Sequence, residues 1–217
     1  MGAGYSKASP YGEAGYNTAG TGRPMKFYDK TNQYKGMTIQ EFEKATRNRK
    51  SEYIGIADDT GRIIIAGTSF NKGSVAIPTT HPLFKDNLTM THNHPAENGR
   101  YLGGSFSSAD VVNGIALKFK VVRANANEKT YIISRNTKAT QAQINRLYKR
   151  ATTSDARWSK TANKRLSAVN KKIKGKGKSL SPKAVKQITL GYGTRLWKEL
   201  TKNTGYTYTE IRAKNRK

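Results

Sequence analysis

Cysteine is absent from this chain of 217 residues, and acidic residues are few. Without cysteine the chain has no disulfide and no thiolate ligand, so a metal site must use histidine and carboxylate side chains. No apolar run approaches the ~20 residues of a membrane span, and the start of the chain lacks a signal-peptide core. Histidine is also scarce, but two of the three histidines are separated by only a single residue. This pair is the clearest place in the sequence for chemistry.

The histidine pair, His92 and His94, follows a short segment that predicts a strand. Because successive side chains of a strand point to opposite faces, both imidazoles are expected on the same face. Ser107 and Asp110 then precede the apolar run 111–117, in the pattern of a helix N-cap and its first turn. Ser-x-x-Asp alone is also an ordinary helix start, and it is the combination that favours a metal site. Two histidines and one carboxylate, with water as fourth ligand, are typical of catalytic zinc.

The residues His92-Asn93-His94-Pro95 and Ser107-x-x-Asp110 resemble the signature of the JAB/JAMM zinc metalloproteases, the MPN+ and RadC-like superfamily. This version of the motif is most similar to those of the phage minor-head and bacterial polymorphic-toxin branches of the superfamily. The resemblance implies a layered, cytidine-deaminase-like α/β domain in which both histidines and Asp110 bind Zn²⁺. It also implies that Ser107 supports the oxyanion. Twelve residues separate His94 from Ser107, more than is usual in the family, and the extra residues are interpreted as a loop insertion.

Glu52 is the candidate for the catalytic glutamate that the family carries on an upstream strand. Segments 52–57 and 62–68 predict a β-hairpin with its turn at 58–61. Strand alternation places the Glu52 side chain on the same face as Ile54 and Ile56. An acid on such a buried face is unusual unless it borders a site. A solvated acid at a strand start is the alternative. The resemblance implies that Glu52 is the general base, acting on water that the zinc activates.

The chain is predicted to have three parts. Residues 1–35 form a flexible, Gly- and Tyr-rich arm, 36–134 form the JAB/JAMM-like α/β domain with a mixed sheet, and 135–217 form a basic α-helical extension. Within the domain, further strands are predicted over 74–78, 87–91, 119–124 and 130–134, and helices over 38–49 and 108–118. After residue 134 only helices are predicted, over 140–151, over 155–173 with Asp155 as cap, and over 183–202.

Positive charge is concentrated in the last part of the chain. Residues 1–134 carry 17 Lys and Arg against 11 acids, whereas residues 135–217 carry 23 against 3. Such an excess attracts polyanions, and a nucleic acid held through its phosphates is the favoured partner. An acidic protein partner, or solubility alone, is the alternative. The predicted phosphate contacts lie at the end of the second basic helix and in the linker after it, at Lys171, Lys172, Lys174, Lys176 and Lys178.

Two functions from different classes fit these features. The first is a JAB/JAMM-type metallopeptidase that cleaves peptide or isopeptide bonds of a peptide or protein substrate, with a basic tail for nucleic acid or an acidic partner. The second is a phage- or virion-associated structural protein that binds nucleic acid and uses the fold as a scaffold. An HNH nuclease is a weaker third option, because the spaced His, Asn and His of its ββα finger are missing. Packaging in a virion and delivery of a toxin into a target cell both fit, and the sequence favours neither.

Overall fold

The computed structural model describes residues 25–71, 73–95, 105–126, 129–174, 181 and 193–212. The strands are β1 (Tyr28–Asp29), β2 (Tyr53–Ala57), β3 (Ile63–Thr68), β4 (Thr89–Asn93), β5 (Val121–Asn125), β6 (Lys129–Arg135) and β7 (Tyr206–Arg212). The helices are α1 (Thr31–Tyr34), α2 (Ile39–Thr46), α3 (Ser108–Ala116), α4 (Gln141–Ala151), α5 (Ser154–Lys174) and α6 (193–200). The strands form one sheet in the order β1-β3-β2-β4-β5-β6-β7, antiparallel except for β4 and β5. The prediction of an α/β fold with a mixed sheet is therefore confirmed.

Local signals placed several elements correctly. The capping box predicted at Thr38 is present, since the Thr38 hydroxyl accepts the Glu41 N–H and the Glu41 carboxylate accepts the Thr38 N–H. These bonds pair backbone groups that the first helical turn leaves free. The predicted hairpin is β2 and β3, and Gly61 in its turn has φ +77°, a conformation that glycine adopts without strain.

Three expectations about local structure were wrong. Residues 74–78 form no strand, because the Ala76 N–H donates to the Ser69 hydroxyl rather than to a neighbouring strand. Helix α5 begins at Ser154, one residue before the cap that was expected at Asp155. Residues 25–35 are not part of a flexible arm, since they form β1 and α1 and bury Tyr34. Residues 1–24 lie outside the described part of the chain.

The main core lies on one face of the sheet and draws on both sides of the predicted boundary at residue 134. Besides residues of β2, β4, β5 and α3, it contains Leu147 of α4, Trp197 of α6 and Tyr208 of β7. The prediction that only helices follow residue 134 was wrong for 206–212, because β7 pairs with β6 along seven residues. Strand β7 is therefore part of the sheet, and its alternate residues face the core. The opposite face carries α2 and a smaller apolar cluster that includes Phe42 and Ile63.

Candidate metal centre

Strand β4 presents the two histidines from the middle of the sheet. It lies between β2 and β5, and His92 is opposite Ile54 on one side and Ala124 on the other. His94 lies just beyond the strand, where its N–H donates to the Asn125 carbonyl at 2.9 Å and extends the parallel ladder. The exposed fraction is 3% for His92 and 7% for His94. Their Nε2 atoms are 2.9 Å apart, so the prediction that both imidazoles share a face is confirmed.

Helix α3 brings the third side chain to this pair. Ser107 caps the helix as predicted, because its hydroxyl accepts the Asp110 N–H at 3.2 Å. In return, Asp110 Oδ2 accepts the Ser107 N–H at 2.7 Å. This bond fixes the plane of the carboxylate and leaves Oδ1 facing His92 Nε2 at 3.2 Å. The residue that completes the helix cap is therefore also the one that completes the cluster.

The donor atoms of His92, His94 and Asp110 fit a small metal ion. The separations are 2.9 Å between the two Nε2 atoms, 3.2 Å from His92 to Asp110, and 3.6 Å from His94 to Asp110. Metal–ligand bonds of ~2.05 Å at tetrahedral angles place neighbouring donors ~3.3 Å apart. The three residues thus form a group able to hold a metal. Nitrogen and oxygen donors suit zinc and other divalent transition metals, so the donor set alone does not select the ion.

Electrostatic interactions within the cluster favour a charged Asp110. Burial raises the pKa of this carboxyl, but the charges of His92 and His94 and their hydrogen bonds outweigh burial and hold the pKa well below its usual range. A carboxylate that stays ionised is the form that binds a cation. The other ring nitrogen of His92, Nδ1, is buried and has no hydrogen-bond partner among the described residues.

Glu52 lies directly before β2, on the same face as the histidines, and only 6% of it is exposed. Its backbone is fixed on both sides, because its N–H donates to the Asn71 carbonyl and its carbonyl accepts the Thr68 hydroxyl. Burial raises the pKa of the Glu52 carboxyl to about 8, while His94 lowers it and Asp110 raises it further. Since both groups act on its pKa, Glu52 belongs electrostatically to the same site. A bound cation would shift Glu52 toward its ionised form.

Asn93, the residue between the two histidines, was not singled out by the sequence. Its side chain points to the opposite face of β4, where Nδ2 donates to the Ser51 carbonyl at 3.1 Å and Oδ1 accepts the Tyr53 N–H at 2.6 Å. These two bonds hold the backbone on either side of Glu52. The strand that carries the histidines thereby also positions the buried acid. The sequence gave no sign of this, because the partners lie 40 and 42 residues away.

Trp197 is a second residue that sequence reasoning did not connect with the site. Its indole N–H donates to the Phe106 carbonyl at 2.9 Å, and Phe106 directly precedes Ser107. The Phe106 ring also makes edge contacts with Trp197 and Tyr208, with centroids 6.1 and 6.5 Å apart. The apolar stripe of α6 predicted a buried Trp197 but not its partner. Residues near the end of the chain therefore support the segment that leads into α3.

A buried ion pair lies beneath the site, on the other face of the sheet. Arg123 of β5 donates from Nε at 2.6 Å and from Nη2 at 3.1 Å to the carboxylate of Glu43 on α2. The hydroxyl of Thr91, next to His92, donates to the same carboxylate at 3.0 Å. The sequence hinted at this only by placing Glu43 beside Phe42 on the buried stripe of α2.

The predicted site residues fall into two groups. His92, His94 and Asp110 lie together, Ser107 is exposed and caps the helix that carries Asp110, and Glu52 directly precedes β2, the strand that pairs with the histidine strand. The second group contains the predicted nucleic-acid contacts. Lys171 is exposed on α5, and Lys172 and Lys174 belong to the last turn of that helix. Lys176 and Lys178 lie outside the described residues.

Comparisons of this chain with family models, with curated proteins and with solved structures found no match. The resemblance to the JAB/JAMM signature therefore stays a prediction, carried by the motif and by the arrangement of its residues. Among the helices of the described ranges, none has both the length and the hydropathy needed to cross a membrane.

Proposed function

We propose that this protein is a zinc-dependent hydrolase that cleaves peptide or isopeptide bonds in the manner of JAB/JAMM metallopeptidases. The observation that carries the proposal is the convergence of His92, His94 and Asp110 beside the buried acid Glu52. A metal-ligating triad next to an acid with a raised pKa is a combination that hydrolases use and that a purely structural site does not need.

Each residue has a distinct task in this reaction. A zinc ion at the triad supplies Lewis acidity and makes water nucleophilic at neutral pH. Glu52, ionised beside the bound cation, takes the proton of the attacking water and passes it to the leaving amine. The Ser107 hydroxyl already accepts the Asp110 N–H, so its own hydrogen remains to donate to the oxyanion. One such donor is typically worth ~3 kcal/mol in the transition state.

Elemental analysis of the purified full chain tests the metal centre first. We expect about one zinc per chain in the wild type and none in the His92→Ala/His94→Ala variant. The matched control is His81→Ala, which removes the histidine outside the cluster and should keep the metal. Asp110→Asn keeps an oxygen for the Ser107 N–H, and therefore the helix cap, but loses the charged ligand and should bind zinc more weakly. A folded wild type that takes up no zinc would refute the proposal.

The hydrolytic step requires a separate test. Glu52→Gln should keep zinc, because it does not touch the ligand set, and should abolish cleavage of fluorogenic peptides and of an isopeptide-linked lysine substrate that the wild type cleaves. Undiminished cleavage by this variant would exclude Glu52 as the base while leaving the metal centre intact.

A second candidate function is favoured by the concentration of charge after residue 134. A nucleic-acid-binding structural protein, phage- or virion-associated, would use the same fold as a scaffold, and an acidic protein partner is the alternative occupant of the basic half. Retention of DNA that does not depend on zinc, without any hydrolysis, would support this function over the first. The two activities are also compatible within one chain.

A further inference from the structure

Helix α5 carries a row of positive side chains along one face. Lys160, Lys164 and Lys171 are all exposed, and their spacing of four and seven residues places them within ~40° of one another at 3.6 residues per turn. The row extends over about 16 Å of the helix. Arg157 lies at the beginning of the same row, but its guanidinium is already paired with the exposed Glu199 at 3.0 Å.

Small side chains, two of them with hydroxyl groups, fill the spaces between these lysines. Thr161, Ser167 and Ala168 share the face and are exposed. The described side chains on this face of α5 include no carboxylate and no large apolar group. Leu166 and Val169, which are half-buried, point to the opposite side of the helix. The face therefore combines charge, hydroxyl donors and room for close approach.

This composition distinguishes between the two possible occupants. Protein–protein interfaces have an apolar, often aromatic centre, and the row has none. Interfaces with nucleic acid are polar and strongly positive, and their phosphate contacts come from Lys, Ser and Thr. We infer that the Lys160–Lys164–Lys171 face of α5 binds the phosphate backbone of a nucleic acid without reading its sequence. The inference rests on the second candidate function and is independent of the metal centre.

Truncation is not a suitable test, because α6 and β7 contribute to the main core. We would instead compare two full-length triple variants with equal change in charge. Lys160→Ala/Lys164→Ala/Lys171→Ala removes the row, and alanine keeps the helix. Lys44→Ala/Lys85→Ala/Lys120→Ala is the control, since these lysines are exposed but dispersed over the first part of the chain.

The measurement is the affinity for a short DNA duplex of random sequence, by fluorescence anisotropy, between ~50 and ~200 mM salt. Three lost phosphate contacts reduce the slope of log affinity against log salt by about 2.7. Over this range the wild type should therefore lose about 40-fold more affinity than the row variant. The control should keep the wild-type slope, and both variants should keep the wild-type circular dichroism and zinc content.

Each contrary outcome has a definite meaning. Equal slopes for the two variants would overturn the inference, because charge would then act in bulk rather than through the row. If the row variant binds DNA with the wild-type slope, the inference is overturned but the nucleic-acid candidate is not. A wild type that does not bind DNA would overturn the nucleic-acid candidate as well. Competition by poly-glutamate as effective as that by DNA at equal charge would assign the face to an acidic protein and overturn the inference.

Discussion

Trp197→Phe is the change that best tests whether the end of the chain supports the metal centre. The side chain of Trp197 is 1% exposed, and its indole N–H is bonded to the carbonyl of Phe106. The next residue, Ser107, holds the Asp110 carboxylate through its backbone N–H. Two hydrogen bonds to the same peptide group thus connect Trp197 with Asp110, although Trp197 itself is not part of the candidate metal cluster.

The expected cost follows from what phenylalanine retains. The aromatic ring remains, but the Phe106 carbonyl loses its partner, which costs about 1–3 kcal/mol for a buried acceptor. The smaller ring leaves space in the core and adds about 1 kcal/mol. We therefore expect the free energy of unfolding to fall by about 2–4 kcal/mol. The lost hydrogen bond lies where the chain enters α3, the helix that carries Asp110. Zinc affinity should therefore fall about tenfold, the lower end of the effect of removing a residue that orients a ligand.

Two assays separate the local effect from general destabilisation. Urea unfolding of the metal-free protein gives the stability, and competition with a chromogenic chelator gives the zinc affinity. Ile63→Ala is the matched control, because Ile63 is fully buried in the cluster on the opposite face of the sheet and its truncation costs about 2–5 kcal/mol. The control should lose stability and keep its zinc affinity. If both variants have the same zinc affinity, the support of α3 by Trp197 is refuted.

Two further substitutions test the contacts beneath the site. Asn93→Ala removes both bonds that flank Glu52 and should lower the free energy of unfolding by about 2–4 kcal/mol. It should reduce hydrolysis far more than zinc content, because both histidines remain; a parallel loss of zinc would contradict a role in positioning the acid. Glu43→Gln leaves the Arg123 guanidinium without its carboxylate and should cost about 3–5 kcal/mol in urea unfolding. Adding Arg123→Met should restore part of this stability, and a double variant as unstable as Glu43→Gln would contradict the buried-charge explanation.

The elements that could be predicted from the sequence are those whose decisive contacts are local. The caps at Thr38 and Ser107 each depend on a residue three positions further along, so both can be recognised in a short window. The shared face of His92 and His94 follows from strand alternation alone. The cluster was predictable for the same reason, since β4 places both histidines and the start of α3 places Asp110.

Elements that depend on distant partners were missed or misassigned. The apolar residues at 74–78 are compatible with a strand, but no neighbouring strand pairs with them in the described structure. Strand β7 was missed although the buried Tyr206 and Tyr208 alternate with the exposed Thr207 and Thr209, because its place in the sheet depends on pairing with β6. Alternation predicts a strand, whereas pairing decides whether it joins a sheet.

The boundary predicted at residue 134 illustrates why charge is a poor guide to the core. Charge is a property of the surface, and on α6 the exposed Lys198 and Glu199 lie next to the buried Trp197 and Leu200. A basic segment can therefore contribute to the same core as the less charged part of the chain. It follows that the basic face of α5 belongs to a segment whose flanking elements, α4 and α6, support the core beside the metal centre. Removing charge by substitution tests the surface alone, whereas deleting the segment would test the surface and the fold at once.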